Sequence, residues 1–322
     1  MRRVLLGIAM LVGGCAARGH LAGEGTPGEG TPGEGTPDAA PASGAPHTTG
    51  QGPHRESQAG TAREDDRCAQ GDLAPLAAAG EMVGLPVERH LPAVVSVPLG
   101  ATSARPVLVV AHGAGDRPEW QCGVWRAIVR NRGFVLCVRG FPTNRYVPES
   151  HTGYFYTDHH ALGREITLAM AALEARFGAH VDTRAPAYAG FSQGAIMGAM
   201  LLPRHPAQFS RAALVEGGHG FFQEWNVLVA QRFKQGGGER VLLACGRAQC
   251  AELARTSAFY LRRGGLDARV IHAEGAGHSY GGSMADAVGR AFWWVVDGDA
   301  RWCGGEGGGE GEGGGEGGTQ ER

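Results

Sequence analysis

The sequence APAYAGFSQGAIMGAMLL, residues 185–202, places a serine between two glycines at the junction of two predicted elements. Residues 185–189, entered through Pro186, predict a short buried strand. Residues 195–202 are rich in Ala, Met, Ile and Leu and predict a helix that ends at Pro203. A Gly-x-Ser-x-Gly between a strand and a helix is typical of a sharp turn that projects the serine hydroxyl over a helix N-terminus. Ser192 is therefore the candidate nucleophile.

A second glycine-rich loop follows an earlier strand. Residues 106–111 predict a buried strand that runs directly into the loop His-Gly-Ala-Gly-Asp, residues 112–116. A nucleophilic serine in such a turn needs a second backbone N–H from a loop of this kind, so that two donors face the oxyanion. Ala114 is the candidate upstream donor and Gln193 the candidate donor beside the serine. His112 is expected to shape the loop by hydrogen bonding.

A histidine lies in a small-residue loop after the last predicted strand. Residues 268–273 predict that strand, and Glu-Gly-Ala-Gly-His-Ser follows at 274–279. A histidine in this place can reach over the edge of the sheet towards the serine. His278 is therefore the candidate general base, which takes the Ser192 proton and returns one to the leaving group.

The third catalytic group should be a carboxylate between the serine and the histidine in the chain. The usual place is the loop after the penultimate strand, but that loop, residues 245–250, reads CGRAQC and has no carboxylate before Glu252. Glu216 ends the preceding strand and is followed by two glycines. We prefer Glu216 as the acid that orients His278, with Glu252 as the alternative.

These motifs make the chain resemble an α/β-hydrolase over roughly residues 85–297. The two glycine loops are most similar to the phospholipase/carboxylesterase and acyl-thioesterase branch, with dienelactone hydrolases and polyhydroxyalkanoate depolymerase-like esterases as neighbours. The resemblance implies a mostly parallel central sheet with helices on both faces and no lid domain. It also implies a serine hydrolase of carboxylic esters or thioesters, on a small-molecule or polymeric substrate, without cofactor or metal. The chain departs from that branch because the expected aspartate after the penultimate strand is absent.

Two other functions stay open at this point. A serine peptidase of the same fold would use the same groups on an amide. A non-catalytic surface binding module could have kept the fold and lost the acid.

Strand and helix signals alternate along the chain, as a parallel sheet with crossover helices requires. The predicted strands lie near 93–98, 106–111, 134–138, 186–191, 212–216, 241–245 and 268–273. The predicted helices lie near 118–131, 158–177, 194–203, 221–236, 251–264 and 281–296. The segment 139–157 is too long for a plain turn and carries five aromatic residues, so we expect it to form one wall of the substrate pocket.

The two ends of the chain differ in composition from its middle. Residues 1–15 combine two arginines, an apolar run and a small-residue pair before Cys15, which predicts a secretory signal. The segment resembles bacterial lipoprotein signals, and this implies a lipidated Cys15 and a protein anchored in the cell envelope, at the outer membrane, or secreted. A short membrane helix is the alternative. Residues 16–66, rich in Gly, Pro, Thr and Glu, predict a disordered tether, and 304–322 a disordered Gly/Glu tail. The hydrolase domain is then 67–303.

Charge and cysteine content restrict the partners further. The net charge is −2, with 30 basic and 32 acidic residues and no basic stripe, so nucleic acid is not expected as a partner. The seven cysteines become six when Cys15 is lipidated, an even number in an exported protein. Cys245 and Cys250 are predicted to form a disulfide.

Asp158, before two histidines, is predicted to cap a helix and not to bind metal. The pairing of four cysteines stays open: Cys68, Cys122, Cys137 and Cys303.

Overall fold

The structure is a computed structural model that describes residues 71–220 and 224–303. The predictions on the signal segment with Cys15, on the tether, on Cys68 and on the Gly/Glu tail lie outside these described residues. Within the two ranges, no helix combines the length and the apolar content that crossing a membrane would need.

Strands and helices alternate along the described residues. The strands are β1 (Met82–Leu85), β2 (Ala93–Ser96), β3 (Arg105–Ala111), β4 (Phe134–Cys137), β5 (Phe141–Pro142), β6 (Tyr154–Phe155), β7 (Val181–Phe191), β8 (Arg211–Val215), β9 (Arg240–Cys245) and β10 (Asp267–His272). The helices are α1 (Pro118–Val129), α2 (His159–Phe177), α3 (Gln193–Leu201), α4 (Val227–Gln235), α5 (Ala248–Arg263) and α6 (Ser283–Val296).

Eight of these strands form one sheet in the order β1-β2-β4-β3-β7-β8-β9-β10. The β1–β2 and β2–β4 pairs are antiparallel, and every pair from β4 to β10 is parallel. β5 and β6 pair with each other as a separate antiparallel hairpin. The predicted α/β-hydrolase fold is confirmed. The connection from β8 to α4, residues 216–226, is too short to hold a lid domain.

Helices cover both faces of the sheet, so its central strands are buried on both sides. Every residue of β3, β4 and β8 is buried, which explains why these strands read as nearly continuous apolar runs. On one face, α1 and α6 meet where the Trp125 and Phe292 rings lie 5.6 Å apart, edge to face. On the other face, α2, α3, α4 and α5 pack over a second apolar cluster. The sheet therefore lies between two packed layers of helices.

The predicted helices and strands are all present, but the short strands β5 and β6 of the hairpin were not predicted, and two further elements differ. β1 was not predicted, because it is an edge strand with a single buried residue and therefore carries little apolar signal. α4 begins at Val227, later than predicted, because the Asn226 side chain accepts a hydrogen bond from the Val229 amide at 3.0 Å and caps the helix there.

Two further local predictions are confirmed. Asp158 caps α2, since its side chain accepts hydrogen bonds from the His160 and Ala161 amides at 2.8 Å each. Cys245 and Cys250 form a disulfide. Of the cysteines whose pairing was left open, Cys122 and Cys137 are joined and tie α1 to β4.

Candidate active site

Ser192 lies in the sharp turn between β7 and α3, with a backbone conformation that a serine rarely adopts. Its φ of 49° and ψ of −111° mark a strained residue. The flanking glycines are sterically required. A Cβ on Gly190 would lie 2.6 Å from the Gly194 carbonyl carbon, and a Cβ on Gly194 would collide with the backbone carbonyl of Ala111. The turn therefore closes only with glycine at both positions, which is the physical basis of the motif.

His278 bridges the serine and a carboxylate. Its Nε2 lies 3.0 Å from Ser192 Oγ, and its Nδ1 lies 2.9 Å from Glu216 Oε2. A carboxylate only accepts, so Nδ1 carries the proton and donates it to Glu216. The Nε2 lone pair is then free to accept the Ser192 hydroxyl proton. The ring of Phe191 packs against the imidazole with centroids 5.0 Å apart and supports its orientation.

Glu216 is fully buried at its side chain and is also held in the left-handed backbone region, at a φ of 54°. Its Oε1 accepts a hydrogen bond from the Gly246 amide, and its Oε2 accepts one from Arg247 Nε at 3.1 Å. Burial would raise the pKa of the Glu216 carboxyl. The hydrogen bonds from His278 and Gly246 and the charge of Arg247 outweigh burial and hold that pKa below its ordinary value. Glu216 is thus a carboxylate at neutral pH.

Sheet topology explains why these groups meet. β7, β8, β9 and β10 are successive parallel neighbours, so their carboxyl ends lie along one edge. Ser192 follows β7, Glu216 follows β8, Gly246 follows β9, and His278 lies in the loop after β10. Glu252, the alternative acid, lies exposed on α5 and contacts neither His278 nor the serine.

The two predicted oxyanion donors belong to different elements, the start of α3 and the glycine loop after β3. Gln193 is the first residue of α3, so its amide has no acceptor within the helix. Ala114 is exposed in a turn that the Asp116 amide closes by donating to the Gly113 carbonyl at 3.1 Å. Among the described residues no backbone acceptor takes the Ala114 amide. A Cβ on Gly113 would lie 3.3 Å from Ser192 Cβ, so this loop packs directly on the serine.

His112 shapes that loop, as predicted. It is fully buried, and its Nδ1 and Nε2 lie 2.8 Å from the carbonyl oxygens of Gly113 and Arg139. Its amide donates to the Tyr156 hydroxyl at 3.1 Å. His112 therefore links the glycine loop to the segment that follows β4.

None of the residues of segment 139–157, which was predicted to form one wall of the substrate pocket, lines the cavity beside Ser192. The segment folds back as the β5–β6 hairpin and braces the serine turn instead. The Tyr156 amide donates to Gln193 Oε1 at 2.9 Å, and Gln193 Nε2 donates to the Tyr156 carbonyl at 3.0 Å. The Gly115 amide donates to the Tyr154 carbonyl at 2.8 Å. Tyr154 and Tyr156 are buried at these contacts, whereas Phe141 and Tyr146 are exposed.

A cavity of about 350 Å³ opens beside Ser192, on the side of β8 and α5. Its wall combines apolar side chains with polar ones. The residues that line it, besides Ser192, are Ile196, Glu216, Gly217, Gly218, His219, Glu224, Arg247, Gln249, Cys250, Leu253 and His278. The cavity reaches both the serine hydroxyl and the imidazole, so a bound molecule can contact the two groups together.

One group of potential metal ligands occurs among the described residues. The ligand atoms of His219, Cys245 and Cys250 lie within 4.8 Å of one another. The two sulfurs are bonded to each other in the disulfide, so neither is a thiolate that could coordinate a metal.

Sequence reasoning passed over two residues of the site. The Gly246 amide and the Arg247 guanidinium hold Glu216, but the sequence analysis predicted only a disulfide in this loop and no residue that contacts the acid. The sequence does place an arginine between two cysteines directly after β9. Because β9 pairs in parallel with β8, that arginine lies near the end of β8, where Glu216 is.

Comparison with known proteins finds likeness in structure. No family model matches the sequence, and no curated protein sequence matches it. Est1E from Butyrivibrio proteoclasticus is 11% identical with a TM-score of 0.48, covering 67% of this chain and 99% of that one. S-formylglutathione hydrolase from Staphylococcus aureus is 14% identical with a TM-score of 0.46, covering 70% and 100%. A carboxylesterase from Mesorhizobium loti is 19% identical with a TM-score of 0.42, covering 66% and 99%. At these identities the likeness concerns the path of the chain and not its chemistry.

Proposed function

We propose that this protein is a serine hydrolase that cleaves carboxylic esters or thioesters through an acyl-enzyme on Ser192. The observation that carries the proposal is the continuous hydrogen-bond chain from Ser192 Oγ to His278 Nε2, at 3.0 Å, and from His278 Nδ1 to Glu216 Oε2, at 2.9 Å. A nucleophile, a base and an orienting carboxylate in this order are the parts that acyl transfer needs.

The first half of the reaction forms the acyl-enzyme. Ser192 Oγ attacks the acyl carbon while His278 Nε2 takes the hydroxyl proton. The amides of Gln193 and Ala114 donate to the oxygen that becomes negatively charged in the tetrahedral intermediate. When the intermediate collapses, the bond to the alcohol or thiol breaks and His278 returns the proton to that leaving group. Glu216 stays ionised and stabilises the imidazolium between the two proton transfers.

The second half releases the acid. A water molecule takes the place of the alcohol or thiol, loses a proton to His278 and attacks the acyl carbon. The second tetrahedral intermediate collapses with return of the proton to Ser192 Oγ. The cavity beside Ser192 and His278 is the space in which the acyl group and the attacking water would meet these two side chains.

A fluorophosphonate probe tests the proposal. We expect the wild-type protein to be labelled at Ser192, as located by mass spectrometry of the digested protein, and to hydrolyse p-nitrophenyl butyrate. Ser192→Ala should not be labelled and should lose about 10³-fold or more in kcat while keeping its melting temperature. An unlabelled wild-type protein would instead indicate a binding module. Labelling with turnover of peptide amides and not of esters would indicate a peptidase.

For the segment before the described residues, we propose that Cys15 carries a lipid that anchors the protein in a bacterial cell envelope. The support is the apolar run and the small-residue pair that precede this cysteine. A tether of residues 16–66 would then separate the hydrolase domain from the membrane surface.

A further inference from the structure

We propose that residues 245–250, the loop closed by the Cys245–Cys250 disulfide, form an acid clasp in which Arg247 is a positioning residue for the Glu216–His278 pair. The proposal rests on the proposed function, because it assigns a role in the same reaction. In the acid clasp, the backbone of Gly246 and the side chain of Arg247 together bind both oxygens of the carboxylate.

The acid clasp fixes Glu216 at each oxygen separately. The Gly246 amide donates to Oε1, and Arg247 donates to Oε2 through Nε at 3.1 Å and lies within 3.0 Å of it through Nη2. A glutamate has one more rotatable bond than an aspartate, and ordering such a side chain costs conformational entropy. Two independent donors on the two oxygens remove that freedom, so that the third contact, to His278 Nδ1, is made in one geometry.

The disulfide fixes the loop that supplies these donors. It joins the last residue of β9 to the first turn of α5, with a sequence separation of 5. The Gly246 backbone is also packed against the loop of the histidine. A Cβ at that position would collide with the Gly277 carbonyl and lie 3.0 Å from Ala276 Cβ. The acid clasp therefore touches the acid on one side and the loop of the base on the other.

Arg247 also approaches the imidazole itself. Its Nη2 lies 2.9 Å from His278 Nδ1. Since the Nδ1 proton is donated to Glu216, Nη2 cannot donate to the same nitrogen, and its ion pair is with Oε2 at 3.0 Å. The guanidinium therefore lies beside the pair and balances the buried carboxylate charge. Its own side chain is 55% exposed, so a small cation from solution can reach its position.

The first test replaces the guanidinium. Arg247→Ala should lower kcat for p-nitrophenyl butyrate about 10- to 100-fold with little change in KM, because misplacement of a catalytic group costs about this much. Guanidinium ion at non-denaturing concentration should restore part of that kcat. Arg247→Lys keeps the positive charge but cannot form a bidentate contact with a carboxylate, so its kcat should stay below that of the wild-type protein. Arg255→Ala, an exposed arginine of α5, is the matched control and should neither lose activity nor respond to guanidinium.

The second test removes the covalent closure. The double variant Cys245→Ala/Cys250→Ala should lose kcat more than the control Cys122→Ala/Cys137→Ala, which opens the disulfide between α1 and β4. Unchanged kcat in Arg247→Ala, a loss confined to KM, or equal effects of the two double variants would overturn the acid clasp. If a double variant does not fold, the Arg247 series decides. A wild-type protein without esterase activity would refute the proposed function itself, whereas an Arg247→Ala variant with the kcat of wild type refutes only the acid clasp.

Discussion

Replacing Glu216 by glutamine tests how the buried carboxylate acts, because the substitution keeps the shape of the side chain and removes its charge. In the native structure every contact of this carboxylate is with a donor: Gly246 at Oε1, and Arg247 and His278 at Oε2. A glutamine has one acceptor oxygen and one NH₂ group. One of the two positions must therefore set a donor against a donor in either orientation of the amide.

Both orientations harm the site. If the NH₂ faces His278, the imidazole must accept at Nδ1 and carry its proton on Nε2, and it can no longer accept the Ser192 proton. If the NH₂ faces Gly246, a buried amide loses its acceptor, at a cost of about 1–3 kcal/mol, and the uncharged oxygen stabilises the imidazolium less. We expect kcat to fall about 10²- to 10⁴-fold, equivalent to about 3–5 kcal/mol of transition-state stabilisation.

The assay is steady-state hydrolysis of p-nitrophenyl butyrate, with kcat and KM determined separately. KM should stay close to wild type, because Glu216 supports the base and does not hold the acyl group. Glu252→Gln is the matched control and should stay close to wild type in both constants, since Glu252 is exposed on α5. Melting temperatures of the variants separate misfolding from loss of chemistry. A Glu216→Gln enzyme within about threefold of wild type, or an equal loss in Glu252→Gln, would refute the assignment of the acid.

Three further predictions concern the turn, the stability and the anchor. Gly194→Ala should lower the free energy of unfolding in urea by about 3 kcal/mol, because a Cβ at that position would collide with backbone atoms. As a control, Gly123→Ala in α1, where the space around the glycine is open, should raise the free energy of unfolding by up to ~1 kcal/mol. A Gly194→Ala variant as stable as wild type would contradict the close packing of the turn. The pKa of Glu216 lies below its ordinary value of 4.5, so its stabilising contribution is complete above that pH and lost as pH falls through the folded-state pKa. The melting temperature of the wild-type protein should therefore drop more steeply below about pH 4.5 than that of Glu216→Gln. An equal pH dependence of the two melting temperatures would argue against a lowered pKa of Glu216. Cys15→Ser should abolish incorporation of a fatty-acid analogue and release the protein from the envelope fraction, and unlabelled wild-type protein of full precursor length would favour an uncleaved membrane segment.

The local sequence was enough to predict those features whose interacting residues lie within a short stretch of the chain. The serine turn follows from a buried strand, two glycines and a helix within residues 185–202, because the steric requirement for glycine acts between neighbours in the chain. The cap at Asp158 and the disulfide between Cys245 and Cys250 are local in the same sense. The apolar runs of the central strands follow from burial on both faces, and they predicted the parallel sheet.

Other features depend on which chain segments become neighbours, and these only the tertiary structure decided. His278 meets Glu216 across 62 residues and Ser192 across 86, so their distances depend on strand order and not on local propensity. The aromatic content of segment 139–157 suggested a wall of the substrate pocket. In the structure its backbone forms hydrogen bonds with the glycine loop, residues 112–116, beside the serine turn. Arg247 binds the carboxylate because β8 and β9 end side by side. Side chains at the ends of parallel strands are brought together by the hydrogen bonds of the sheet, and those bonds join residues that the linear sequence leaves far apart.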